Sequence, residues 1–271
     1  MPINNPIGVF DSGLGGLSVL SELLKQLPGE EYLYLGDTQR NPYGLKSAQT
    51  VEKYTVEAVT FLVKAGAKLI VIACNTATVA GLDTVQKAFP DIPIVGVVEP
   101  GCLAVAEVVQ KHIVLLATQG TVKSGVHAAR IKELKPDIKV SGVPAPILVA
   151  LAEEGWLSGD VADAVCKRYL GDLYNDPDNA PDCLLLGCTH FPPFYNSIRK
   201  AVGSETTIVD PSGLTAQHVS AELEKHGILS KNTNPGKIKY LVTADPERFA
   251  RIASFLLGKN IDLEDIKLIN L

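Results

Sequence analysis

The chain of 271 residues carries 25 Lys and Arg against 30 Asp and Glu, a formal net charge of −5, and 46% of its residues are hydrophobic. That apolar content supports one large or two ordinary packed domains and argues against global disorder. The acidic balance, with no Lys/Arg cluster to offset it, speaks against direct nucleic-acid binding, which needs cationic surface to displace counterions from phosphates.

The opening MPINNPIGVF lacks the basic and then apolar profile of a secretion signal, and no apolar run reaches the ~18 residues of a membrane span. A cytoplasmic protein without membrane contact is expected. Cys74, Cys102, Cys166, Cys183 and Cys188 form no CxxC pair and are odd in number, which in a reducing compartment reads as free thiols.

From the N-terminus onward, short apolar runs alternate with stretches of helical period, the pattern of a parallel α/β protein. Strands are expected at residues 7–10, 32–35, 69–73, 94–98, 113–117, 183–187, 207–209 and 238–242. The first leads into FDSGLGGLSVLSELLKQLP, where a glycine-rich turn opens an amphipathic helix with Leu17, Leu20, Leu24 and Leu27 at core spacing and Pro28 and Gly29 as its stop. Asp11 or Ser12 would suit the N-cap of that helix. A carboxylate at the strand exit would equally suit an ammonium group or a thiol. GLGG has neither GxGxxG spacing nor the Lys-Ser/Thr of a P-loop, so its backbone N–H groups fit a small anion better than a nucleotide.

Residues 46–65 place Val51, Thr55, Ala58, Val59 and Leu62 on one helical face, then feed KLIVIAC, apolar throughout as in a strand covered on both sides. NDPDNAPD at 175–182 and KHGILSKNTNPGK at 225–237 read as turn-rich connections too short to tether domains flexibly.

An order of motifs repeats. VFDSG, IACNT and VVEPG, carrying Asp11, Cys74 and Glu99, are followed by LLATQGT, LLGCTH and IVDPSG, carrying Thr118, Cys188 and Asp210 at comparable intervals. Two similar α/β halves are expected, with both thiols directed into one cleft, because ligands of open parallel sheets sit beyond the carboxyl ends of strands. Cys102, Cys166 and Cys183 read as small core hydrophobes. Cys74 and Cys188, each closing a buried strand ahead of a polar pair, are candidate acids or bases. Zinc held by Cys74, Cys188 and His190 is a weaker rival, since structural sites draw on closely spaced ligand pairs. A redox disulfide would be a third reading, without a CxxC to support it.

Taken together, VFDSGLGGLSVL, YLGDTQRNPYG, VIACNTAT, VGVVEPG, ATQGTVKSG, LLLGCTHFP and IVDPSG resemble the cofactor-independent aspartate/glutamate racemase superfamily and, within it, the bacterial glutamate racemases. The fold class expected is α/β: two similar parallel-sheet domains in pseudo-symmetric arrangement, residues 1–97 plus 211–271 and residues 98–210, with the active site in the interdomain cleft. The resemblance implies a homodimer that interconverts L- and D-glutamate without pyridoxal phosphate, metal or other cofactor and supplies D-glutamate for peptidoglycan.

By the same resemblance, Cys74 takes the α-proton from D-glutamate and Cys188 from L-glutamate, assisted by Asp11 and His190 respectively. Glu153 in ALAEEG, with Glu154 beside it, matches an acidic residue near the second thiol. Asp11, Ser12, Tyr43, Gly44, Asn75, Thr76, Thr121, Thr189 and His190 would bind the substrate. Two departures are His127, where the family commonly has tyrosine, and PPFYN after His190, where a leucine-rich stretch is expected. An aspartate or related racemase, and a non-catalytic amino-acid-binding protein, are the alternatives.

Overall fold

The alternating runs become two parallel sheets in a computed structural model that describes residues 2–176 and 179–271. Met1 and the centre of the 175–182 connection lie outside the described residues. The strands are β1 (Ile7–Asp11), β2 (Tyr32–Gly36), β3 (Leu69–Ile72), β4 (Ile94–Gly96), β5 (His112–Ala117), β6 (Lys139–Pro144), β7 (Cys183–Gly187), β8 (Thr207–Val209), β9 (Ile238–Val242) and β10 (Ile266–Leu268). The helices are α1 (Leu17–Gln26), α2 (Ala48–Lys64), α3 (Asn75–Ala88), α4 (Val98–Val108), α5 (Gln119–Ser124), α6 (Val126–Leu134), α7 (Pro146–Glu153), α8 (Asp160–Tyr174), α9 (Tyr195–Val202), α10 (Ser212–Lys225) and α11 (Pro246–Leu257). Among the described residues no helix is long and apolar enough to cross a membrane.

One sheet runs β10-β9-β2-β1-β3-β4 and the other β6-β5-β7-β8, with every pairing parallel. The order β2-β1-β3-β4 of the first sheet therefore recurs as β6-β5-β7-β8 in the second. The repeated motifs fall on equivalent strand ends: Asp11 and Thr118 at β1 and β5, Cys74 and Cys188 beyond β3 and β7, Glu99 and Asp210 beyond β4 and β8.

Both faces of each sheet are covered, which is why the strands are apolar without alternation. Ile7, Val9, Leu69 and Val71 pack under α1, α10 and α11, while Phe10, Leu35, Ile70 and Ile72 face α2 and α3. In the second sheet Val114, Leu116, Leu184 and Leu186 face α7, α8 and α9, and Ile113, Leu115 and Leu185 face α4 and α6. Each such side chain contributes about 1.5–3 kcal/mol on burial. Cys102, Cys166 and Cys183 sit inside these cores, where burial pushes each thiol up to about 12.

The helix read at 46–65 buries all five of its expected core positions. Three details differ. The α1 N-cap is Gly16, with no side-chain cap, because Asp11 spends Oδ1 on the Gly13 N–H at 2.8 Å to close the turn before the helix. The fourth strand stops at Gly96, and Val98 already belongs to α4. Strands β6 and β10 had no apolar run to announce them, since each lies at a sheet edge with much of its length exposed.

Candidate active site

Each sheet has one place where consecutive connections leave in opposite directions, between β1 and β3 and between β5 and β7. Side chains leaving the strands there open into free space, the usual position of a ligand in open α/β sheets. A cavity of about 380 Å³ joins the two. Ser12, Tyr43, Gly44, Cys74, Asn75 and Thr76 line it from the first sheet, and Glu153, Cys188, Thr189 and His190 from the second.

Cys74 is the N-cap of α3, and its Sγ lies 3.5 Å from Ser12 Oγ. The Ala77 N–H and Ser12 favour a thiolate, but burial, together with the nearby Asp11 carboxyl, pushes the thiol up to about 11. It is therefore protonated at neutral pH. Cys188 stands against a basic partner: its Sγ is 3.7 Å from His190 Nδ1. His190 Nε2 in turn bonds Glu153 Oε1 at 2.7 Å. Burial opposes charge on His190, yet the bonds to Cys188 and Glu153 hold its pKa well above the ordinary imidazole value. Burial likewise opposes charge on Glu153, and His190 reverses that, leaving its pKa below the ordinary carboxylate value. The two thiols thus differ in their partners although they occupy equivalent strand ends.

Asp11 and Thr121 stand one layer behind the cavity wall. Asp11 is buried, its carboxyl raised by desolvation against the pull of His190, and its Oδ2 accepts the Thr189 hydroxyl at 3.3 Å. Thr121 Oγ1 touches Thr118 and Thr76 hydroxyls at 3.0 and 3.2 Å. Tyr43 is held from behind as well, its hydroxyl donating to Asp37 Oδ2 at 2.5 Å.

Two glycines, one from each of the first two motifs, serve close approach. A Cβ on Gly15 would lie 2.5 Å from Thr189 Oγ1 and 2.6 Å from His190 Nδ1, and one on Gly44 would lie 2.5 Å from Thr118 Cβ. Gly15 and Gly44 therefore let the loops of one sheet press against the Thr-His and Thr-Gln turns of the other.

A model of the Asp/Glu/hydantoin racemase family matches residues 7–219. A glutamate racemase of Geobacter metallireducens is 40% identical over 264 residues, covering 97% of this chain and 96% of that protein. Among solved structures, glutamate racemase from Francisella tularensis in complex with D-glutamate superposes with a TM-score of 0.91 at 32% identity, covering 99% of this chain and 98% of that one. A glutamate racemase isoform from Bacillus anthracis also gives 0.91, at 36% identity and 98% coverage of both chains. The chain belongs to the Asp/Glu/hydantoin racemase family.

For a member of this family, the sequence reading overlooked several residues that border the cavity. Thr118 lines it and is the N-cap of α5, accepting the Thr121 N–H; a threonine at a strand exit ahead of a helix was the available signal. Asn41 lines the cavity and, after His190, helps to lower the Glu153 carboxyl. Arg248 on α11 reaches across to the Glu153 backbone oxygen at 2.8 Å and Glu154 Oε1 at 3.2 Å. It lies outside every motif, so nothing local marked it. Of the two adjacent glutamates, Glu153 is the one that reaches His190. Among the described residues no group of three or more His, Cys, Asp or Glu side chains is gathered to hold a metal ion.

Proposed function

We propose that the chain interconverts L- and D-glutamate with Cys74 and Cys188 on opposite faces of Cα, one removing the α-proton and the other delivering its own. The observation that carries the reading is two thiols at equivalent ends of two like sheets, bordering one cavity, in a family member whose near relatives are glutamate racemases. A proton beside a carboxylate is only feebly acidic. Its removal needs a base on one face of Cα, an acid on the other and dipoles that stabilise the charge that develops.

Cys188, with His190 to take its own proton, acts as base toward L-glutamate, and Cys74 delivers a proton from the opposite face. The product is D-glutamate, and the two thiols have exchanged protonation states. The reverse reaction starts with Cys74 as base. Asp11 and Ser12 serve Cys74; His190, backed by Glu153, serves Cys188. Asn75, Thr76, Thr118, Thr189 and the Tyr43–Gly44 backbone bind the substrate, with Thr121 fixing the threonine hydroxyls and the N-terminus of α3 favouring a carboxylate. In this reading the enzyme is a cytoplasmic homodimer that needs no pyridoxal phosphate or metal and supplies D-glutamate for peptidoglycan.

The test follows L-glutamate in D2O by circular dichroism and NMR, with EDTA-treated protein and no added cofactor. Racemisation with deuterium entering Cα is expected, and its loss in both Cys74→Ala and Cys188→Ala. Parental rates in both variants would overturn the two-thiol mechanism; faster turnover of aspartate would reassign the substrate, and no exchange at all would leave a binding protein.

A further inference from the structure

Among the described residues, two buried nitrogens on side chains in contact have no hydrogen-bond partner, Asn75 Nδ2 and His127 Nδ1. The remaining polar atoms of those side chains meet each other: His127 Nε2 lies 3.2 Å from Asn75 Oδ1. The contact joins α6 to the first turn of α3, and each residue is only 2% exposed. Burial lowers the His127 imidazole to about 4, so at neutral pH the ring carries one proton. A carbonyl oxygen needs a donor, which places that proton on Nε2 and leaves Nδ1 bare.

The consequence for Asn75 is directional. With Oδ1 occupied by His127, the amide can show the cavity only its NH2 group, and Asn75 lines that cavity. Among the described residues its side chain has no other hydrogen bond to fix which way it faces. An unmatched buried donor is unfavourable. Here it is offset when a ligand brings an acceptor.

We propose that His127 is a positioning residue for the reaction: by donating to Asn75 Oδ1 it locks the amide with its donor toward the substrate, so that Asn75 takes a carboxylate oxygen and rejects the ammonium group. The proposal rests on the glutamate racemase reading above. Without the imidazole the amide is free to turn over and present Oδ1 to a carboxylate, which repels it.

The experiment compares steady-state kinetics in both directions for the parent, His127→Phe and His127→Gln, with folding checked by thermal melting. In the phenylalanine variant KM rises roughly tenfold to a hundredfold for both enantiomers while kcat stays within about threefold. Glutamine, whose amide nitrogen can reach the place of Nε2, restores KM. In an Asn75→Ala background His127→Phe adds nothing further to KM, because its effect runs through Asn75. An unchanged KM, a penalty that persists in the Asn75→Ala background, or a kcat loss without a KM change overturns the proposal.

A second measurement needs no substitution. Long-range 1H–15N NMR of the intact protein at neutral pH should show His127 as the neutral Nε2–H tautomer, and an Nδ1–H tautomer or an imidazolium overturns the proposal even if a variant fails to fold. A parent that does not racemise glutamate defeats the functional reading instead, and the tautomer still decides the His127–Asn75 bond.

Discussion

Replacing Gly15 by alanine puts one methyl group between the two halves of the site. Its Cβ would stand 2.5 Å from Thr189 Oγ1 and 2.6 Å from His190 Nδ1, against an ordinary contact distance that starts at 3.4 Å. The Thr189–His190 turn must retreat by about 0.9 Å, and neither side chain is free to swing aside. Thr189 is bonded to Asp11, and His190 is pinned to Glu153 at 2.7 Å. Gly15 is not in the left-handed region, so the effect is one of space alone. Overpacking of this kind costs about 1–3 kcal/mol, and Tm falls about 2–4 °C for each of those. Displacing catalytic groups by about 1 Å costs on the order of a hundredfold in rate. Circular-dichroism progress curves and thermal melts measure both. Gly171→Ala is the control, since its Cβ meets only the Lys167 side chain, at 3.4 Å. A Gly15→Ala enzyme with parental rate and melting refutes the reasoning.

Three further outcomes follow from the burial of ionisable groups. The Cys74 thiol is pushed up to about 11, so its alkylation by iodoacetamide, read by peptide mass spectrometry, should climb about tenfold per pH unit well past pH 9; a plateau near 9 contradicts the assignment. Because the folded protein holds this proton more tightly than the unfolded chain does, the stabilising contribution is full below about pH 9 and is lost as pH rises through about 11. Lys68, fully buried, pairs with Glu30 at 2.6 Å and donates to the Ile228 carbonyl at 2.8 Å. Lys68→Ala strands the Glu30 carboxylate and should lower stability by about 3–5 kcal/mol in urea melts, with kcat retained because the pair lies at the opposite ends of the strands from the thiols; a change below about 1 kcal/mol contradicts it.

What was legible in the sequence divides along physical lines. Central strands buried on both faces, such as LIVI and CLLLG, announced themselves by unbroken apolarity, and α2 by the spacing of Val51, Thr55, Ala58, Val59 and Leu62. Edge strands did not: β6, KVSGVP, contains glycine and proline and alternates between exposed and half-buried, and β10 is three residues long. In the site, Asp11, Ser12, Cys74, Asn75, Thr76, Cys188, Thr189 and His190 were visible because motif and strand tip coincide, whereas Thr118, at the tip of β5, was seen only as part of the repeated pattern. Groups that arrive from elsewhere were not visible. Arg248 comes from a helix with an ordinary amphipathic pattern, and the role of Asn41 depends on the fold bringing Glu153 beside it. Whether Asp11 caps α1 or serves an ammonium group or a thiol was open in sequence because either use needs the same residue at the same place; its bond to the Gly13 N–H and the Gly16 cap remove the first.

The recurrence of β2-β1-β3-β4 as β6-β5-β7-β8 carries one more implication. A chain of L-residues can repeat a unit by rotation but never by reflection, whereas L- and D-glutamate are mirror images. Two rotated copies can therefore supply a thiol to each face of Cα, yet cannot meet the two enantiomers with identical surroundings. The interconversion has an equilibrium constant of one, so kcat/KM must still be equal in the two directions. Ser12 beside one thiol and the His190–Glu153 pair beside the other are then unlike solutions to one thermodynamic demand, and natural selection is free to trade kcat against KM on each side only while their ratio stays matched.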